Sequence, residues 1–121
     1  MANPFVHVEL NTTDPAAAKA FYGKLFDWKL EDAPMGPDMT YTMISPGDGT
    51  GGGMMKNMIP GVPSFWLAYV LVDDIEKATR KAESLGAKVM KDVTEVMGVG
   101  WLSVIVDPTG AALGLWKPKA K

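Results

Sequence analysis

The stretch Phe5-Val6-His7-Val8-Glu9-Leu10-Asn11-Thr12-Thr13-Asp14-Pro15, running on to Phe26, decides how the rest of the chain is read. Residues 5–10 alternate, with Val6, Val8 and Leu10 on one face and Phe5, His7 and Glu9 on the other, the pattern of a half-buried strand. Thr13 or Asp14 caps a following helix, and Pro15 sits in its first turn, where a missing N–H costs nothing. Ala17, Ala18, Phe21, Tyr22 and Leu25 then recur at helical spacing. His7 is the single histidine of the chain.

The same order returns 60 residues later. Phe65 to Val72 reads as a strand, Asp74 as a cap, and Ile75, Ala78, Ala82 and Leu85 as a helical stripe closed by Gly86. In the first half, Asp27 to Leu30 predicts a second strand and Pro34, Gly36 and Pro37 a loop. Thr40 to Ser45 predicts a third strand, and Gly51 to Lys56 a glycine-rich fourth. Asn57 to Pro63 reads as a linker. In the second half the corresponding strands are Lys88 to Lys91, Trp101 to Val106 and Ala111 to Trp116, with a turn at Asp107-Pro108-Thr109-Gly110 and a solvated basic tail. Each half is therefore β-α-β-β-β. His7 aligns with Leu67 and Asp14 with Asp74 at an offset of 60, and Tyr41 with Leu102 and Gly53 with Gly114 at an offset of 61. A repeat of this size marks duplicated modules, module 1 (residues 1–58) and module 2 (residues 64–118), within one domain over residues 1–121.

Composition narrows the function. The 121 residues suit a single core, and 47% hydrophobic with 21% charged residues is ordinary for a globular protein. A net charge of −2 and the lack of a basic run argue against nucleic acid or an anionic membrane as partner. Without cysteine there is no disulfide or thiolate chemistry. Pro4, His7 and Glu9 break what would be a signal-peptide core, and no apolar run is long enough to span a bilayer, so a cytoplasmic location is expected. Six of the nine methionines fall between Met35 and Met58, where they line an adaptable pocket or lid, or fill gaps in the core.

The joint order of His7 and Asp14, Phe21-Tyr22 with Leu25-Phe26-Asp27-Trp28, Val72-Asp73-Asp74, Leu85-Gly86-Ala87 and Asp107-Pro108-Thr109-Gly110-Ala111 resembles the vicinal oxygen chelate superfamily, which includes glyoxalase I, bleomycin-resistance proteins and extradiol dioxygenases. The resemblance implies an α+β fold: two tandem β-α-β-β-β modules forming an incomplete barrel around a cavity. It also implies a homodimer, with modules exchanged between chains or not.

Within that fold, helices cover the apolar strand faces. Val6, Val8, Leu10, Ala68, Val70, Val72, Leu102, Val104, Leu113 and Leu115 are then expected in the core. The opposite faces are expected to line the cavity with Phe5, His7, Glu9, Thr42 and Met55 from module 1. Module 2 contributes Phe65, Leu67, Tyr69, Trp101, Ser103 and Trp116. This set is aromatic with a few polar groups and resembles a pocket for a small, planar, partly apolar molecule.

Metal-dependent members of the superfamily carry ligands at positions that correspond here to His7, Gly53, Leu67 and Gly114. Only His7 has a donor side chain, whereas a stable site takes three or four protein ligands. No metal or other cofactor is therefore expected. His7 reads either as a hydrogen-bonding pocket residue or, with an ordinary pKa near ~6.5, as an acid–base residue acting with Glu9. Tyr22 reads as core. Two functions stay open: a metal-independent binding protein, and an enzyme (lyase, isomerase, dioxygenase or hydroxylase-like) using His7 and Glu9 or a non-standard divalent metal site.

Overall fold

A computed structural model of the chain describes residues 2–34, 39–57, 59, 61–96 and 98–119. Gly36 and Pro37 of the expected loop, Pro60 of the linker, and Met35 and Met58 of the methionine-rich window lie outside the described residues. The chain forms two compact units, one spanning His7–Leu67, the other running from Ala68 onward together with the N-terminal residues through Val6.

β1 (Phe5–Thr12), which belongs to the first unit from His7 onward, leads into α1 (Pro15–Leu25), followed by β2 (Lys29–Pro34), β3 (Thr40–Ser45) and β4 (Gly52–Lys56). The Asp14 carboxylate accepts the Ala17 N–H at 3.1 Å and so caps α1, with Pro15 in the first turn. β2 and β3 are antiparallel, as are β3 and β4, and β4 lies parallel to β1. Leu10, Ile44 and Met54 are buried in one core, with Ala18, Tyr22, Trp28 and Leu30 packed against them. The second strand begins later than the sequence suggests. Trp28 stacks on Tyr22 with ring centroids 5.7 Å apart and so belongs to the turn leaving α1. Phe21 and Leu25, expected on the core stripe, are 58% and 57% exposed, since Ala18 and Tyr22 already fill the contact.

The order repeats with β5 (Phe65–Leu71), which belongs to the second unit from Ala68 onward, then α2 (Ile75–Ser84), β6 (Lys88–Val96), β7 (Gly100–Val106) and β8 (Ala112–Pro118). Asp74 caps α2 through the Lys77 N–H, and Gly86 leaves the helix at φ +103°, a left-handed conformation that favours glycine. β8 lies parallel to β5, and β6, β7 and β8 are successively antiparallel. Val72, Ile75, Ile105 and Leu115 form its core. β6 runs on to Val96, well beyond the expected Lys91. Register shifts between Val89 and Lys91 and between Lys91 and Thr94 break the alternation by which the sequence would have shown it.

The duplication holds at the level of register. Glu9 pairs with Gly53 in the first unit, and the equivalent Tyr69 pairs with Gly114 in the second. Thr42 pairs with Met54, and the equivalent Ser103 with Leu115.

That register corrects the facing of the third strand in both units. Thr42 shares its face with Met54, and Ser103 with Leu115, so both point toward the helix of their own unit, as does Trp101. Leu102 and Val104, expected in the core, point away from α2. The reason is the same in both units: the helix side supplies a polar partner. Thr42 Oγ1 donates to Asp32 at 2.7 Å, and Lys19 of α1 donates to the same carboxylate at 2.7 Å. Ser103 and Thr79 of α2 share a 2.9 Å hydrogen bond, both fully buried. Thr79 is the repeat equivalent of Lys19.

Candidate functional site

Alternation along β1 sends Leu10 toward α1 and His7, Glu9 and Asn11 to the other face of the sheet. On β4, Gly53 pairs with Glu9 and Met55 with Asn11, so both join that face. On β3, Met43 pairs with Gly53, which sets Tyr41 diagonally beside the glycine. A Cβ built on Gly53 would fall far inside 3.0 Å of the Tyr41 ring and hydroxyl, closer than side chains tolerate. The bare glycine thus seats the phenol.

The phenol lies between two groups of β1. Tyr41 Oη donates to Glu9 Oε2 at 2.9 Å, and His7 Nε2 lies 2.7 Å from the same phenol oxygen. With the phenol proton directed to the carboxylate, His7 is the Nε2–H tautomer and donates to Tyr41. The His7 and Tyr41 rings are nearly parallel, 22° apart, with centroids at 6.2 Å. Asn11 Nδ2 adds a 3.3 Å contact to the other oxygen of Glu9. Glu9 is only 8% exposed, so its charge depends on such donors. Burial pulls the His7 pKa below its ordinary 6.5, and the Glu9 charge opposes that pull in part. His7 is therefore neutral near pH 7.

Of the residues expected around the site, His7 and Glu9 are brought together, and Met55 shares their face. Thr42 is turned to α1. Phe5 is 62% exposed at the start of β1, and Phe65 is half-buried at the start of β5. Leu67 and Tyr69 are both buried, and the Tyr69 ring covers Gly114 as Tyr41 covers Gly53. Trp116 points away from α2 and packs on Gly100. Trp101 and Ser103 face α2. Tyr41 is the residue that sequence reasoning missed; its signal was an aromatic residue on the strand next to a glycine expected on the site face.

At the positions where the superfamily holds a divalent metal, one described side chain, that of His7, carries a donor. At the four superfamily positions, His7 has its Nε2 engaged by Tyr41, Leu67 has no donor, and Gly53 and Gly114 lie beneath tyrosine rings. Among the described residues no three His, Cys, Asp or Glu side chains are grouped closely enough to hold such an ion. No described helix is long and apolar enough to cross a membrane.

A family model described as "Glyoxalase/Bleomycin resistance protein/Dioxygenase superfamily" matches residues 5–115. The "Putative glyoxylase CFP32" of Mycobacterium tuberculosis (strain CDC 1551 / Oshkosh) is 38% identical over 115 residues, covering 91% of this chain and 44% of that protein. The "Anthracycline biosynthesis protein DnrV" of Streptomyces peucetius is 27% identical over 123 residues, covering 90% of this chain and 45% of that protein. The chain thus spans less than half the length of these curated relatives. Among solved structures, the hypothetical protein BH1468 from Bacillus halodurans C-125 superposes with a TM-score of 0.71 at 16% identity, covering 100% of this chain and 98% of that one. Methylmalonyl-CoA epimerase from Mycobacterium tuberculosis gives 0.70 at 15% identity, covering 96% and 88%. These likenesses are of fold: α+β, with the same duplicated strand and helix order.

Proposed function

We propose that this chain, which belongs to the glyoxalase/bleomycin resistance protein/dioxygenase superfamily, binds a small, planar, partly apolar molecule on its His7 face without a metal. The observation that supports this most is the position of the Tyr41 hydroxyl between Glu9 and His7. Polar groups that would otherwise recruit a cation are hydrogen-bonded to one another, and they present a ligand with fixed dipoles and a buried carboxylate. Met55 and the exposed Met43 give the same face apolar, adaptable surface. The name of one relative, an anthracycline biosynthesis protein, accords with a planar ligand. The reading includes a homodimer, for which the exposed Phe21 and Leu25 of α1 supply apolar surface.

The test is a thermal-shift screen of planar aromatic metabolites and antibiotics against the wild type, His7→Ala and Tyr41→Phe. A compound that stabilises the wild type and loses its effect in both variants supports the reading. Stabilisation unchanged in both variants refutes it.

A second reading rests on the same row of hydrogen bonds: an acid–base enzyme of the superfamily in which neutral His7 takes up a proton and Glu9, through Tyr41, balances the charge. Turnover of a methylglyoxal–glutathione adduct or a catechol, lost in His7→Gln, would favour it over simple binding.

A further inference from the structure

We propose a second small-molecule site on the opposite, α1-facing side of the His7–Leu67 unit: a groove between Trp28 and Trp66 that takes an uncharged aromatic molecule of one or two fused rings. The groove measures about 290 Å³. That is the lower end of the roughly 300–1,000 Å³ found for ligand pockets, which sets the size of the occupant.

The two indoles stand nearly perpendicular, 78° apart, with ring centroids at 6.4 Å. A flat ring beside them meets the face of one and the edge of the other, both favoured aromatic arrangements. Trp28 is held by Tyr22 and by Phe26, whose ring centroid lies 4.8 Å away, so this wall is fixed. Trp66 is 41% exposed and packs edge-on against Tyr22, with ring centroids 5.5 Å apart.

The lining beside the indoles is apolar. Val8 and Ile44 contribute side chains, and Gly51 and Gly52 contribute bare backbone. A Cβ on Gly52 would collide with the Val8 carbonyl oxygen, so the parallel pairing of β1 with β4 demands glycine there. The same absence of a side chain leaves the floor open. Pro46 also lines the groove, and among the described lining residues Thr50 supplies the only side-chain hydroxyl.

Among the described residues no charged side chain lines the groove, so an ionic ligand would lose hydration without gaining a partner. Val8 lies between His7 and Glu9 in sequence and points the other way. The groove is therefore independent of the His7 face, and the inference goes beyond the function proposed there.

The probe is 1-naphthol, titrated into ¹⁵N-labelled protein while the indole Nε1–H signals of the four tryptophans are followed. Saturable shifts of Trp28 and Trp66 are expected, with Trp101 and Trp116 stationary and the response retained in His7→Ala. Affinity should fall roughly tenfold in Trp66→Ala. The less drastic Trp66→Leu, which keeps apolar volume, should weaken binding in the same direction if the alanine variant fails to fold. Absence of a saturable shift, shifts of all four indoles alike, loss in His7→Ala, or undiminished binding in folded Trp66 variants would each overturn the proposal.

Discussion

The phenol of Tyr41 stands directly over Gly53, in space that a single added methyl group would invade. Gly53→Ala should therefore destabilise the protein by about 1–3 kcal/mol, the usual cost of overpacking a tight contact. The penalty should shrink when Tyr41 is first replaced by alanine. Urea denaturation of the two single variants and the double variant checks this. Additive effects would mean that the ring and the glycine are not coupled.

Tyr41→Phe removes the hydroxyl that donates to Glu9 and accepts from His7 while leaving the ring in place. The buried carboxylate loses a donor, and a stability loss of about 1–3 kcal/mol is expected. A second change, Glu9→Gln, should recover part of that loss. Chemical denaturation of the double-mutant cycle reads the coupling directly.

Acid should destabilise the fold in two separate ranges. Burial lowers the His7 pKa below 6.5, so the unfolded chain binds the proton more readily. Stability is then lost as pH falls from 6.5 toward the folded value. Asp32, held down first by its hydrogen bond from Lys19 and then by Thr42, and Asp107, held down mainly by Thr109, both have lowered values. Their contribution is present above the ordinary 3.8 and is lost as pH falls through the folded values. His7→Gln should flatten the melting-temperature profile between about pH 7 and pH 5 and leave the more acidic limb unchanged.

Ser103 and Thr79 form a buried pair in the second unit, with Thr79 Oγ1 also donating to the Ile75 carbonyl at 2.6 Å. Thr79→Val strands the Ser103 hydroxyl at zero exposure and should cost about 1–3 kcal/mol. Adding Ser103→Ala should cost little more, because both partners are then apolar. If Ser103 instead faced a ligand, the two changes would add. Melting curves of the three variants decide between these outcomes.

The duplicated β-α-β-β-β order was legible because it rests on local chemistry. Asp14 and Asp74 cap helices wherever they precede such stripes, and Gly86 ends one at a positive φ. The placement of His7 and Glu9 on one face of β1 followed from strand alternation alone. The facing of β7 was not legible, since Trp101-Leu102-Ser103-Val104-Ile105-Val106 is apolar on both faces and period two decides nothing. Ser103 and Thr42 look like site-facing polar residues until Thr79, and Asp32 with Lys19, are seen to satisfy them from the helix side. The place of Tyr41 beside His7 and Glu9 depends on the β3–β4 register, a long-range property that no local pattern encodes.

In the proposed function the His7 face is a set of mutually hydrogen-bonded groups that binds its ligand without a metal. The most direct test is the metal content of protein purified without chelator or affinity tag, with a thermal-shift titration of divalent ions alongside. Metal far below one equivalent and no stabilisation by any ion are expected. Close to one equivalent of metal, lost in His7→Ala, would contradict the proposed function.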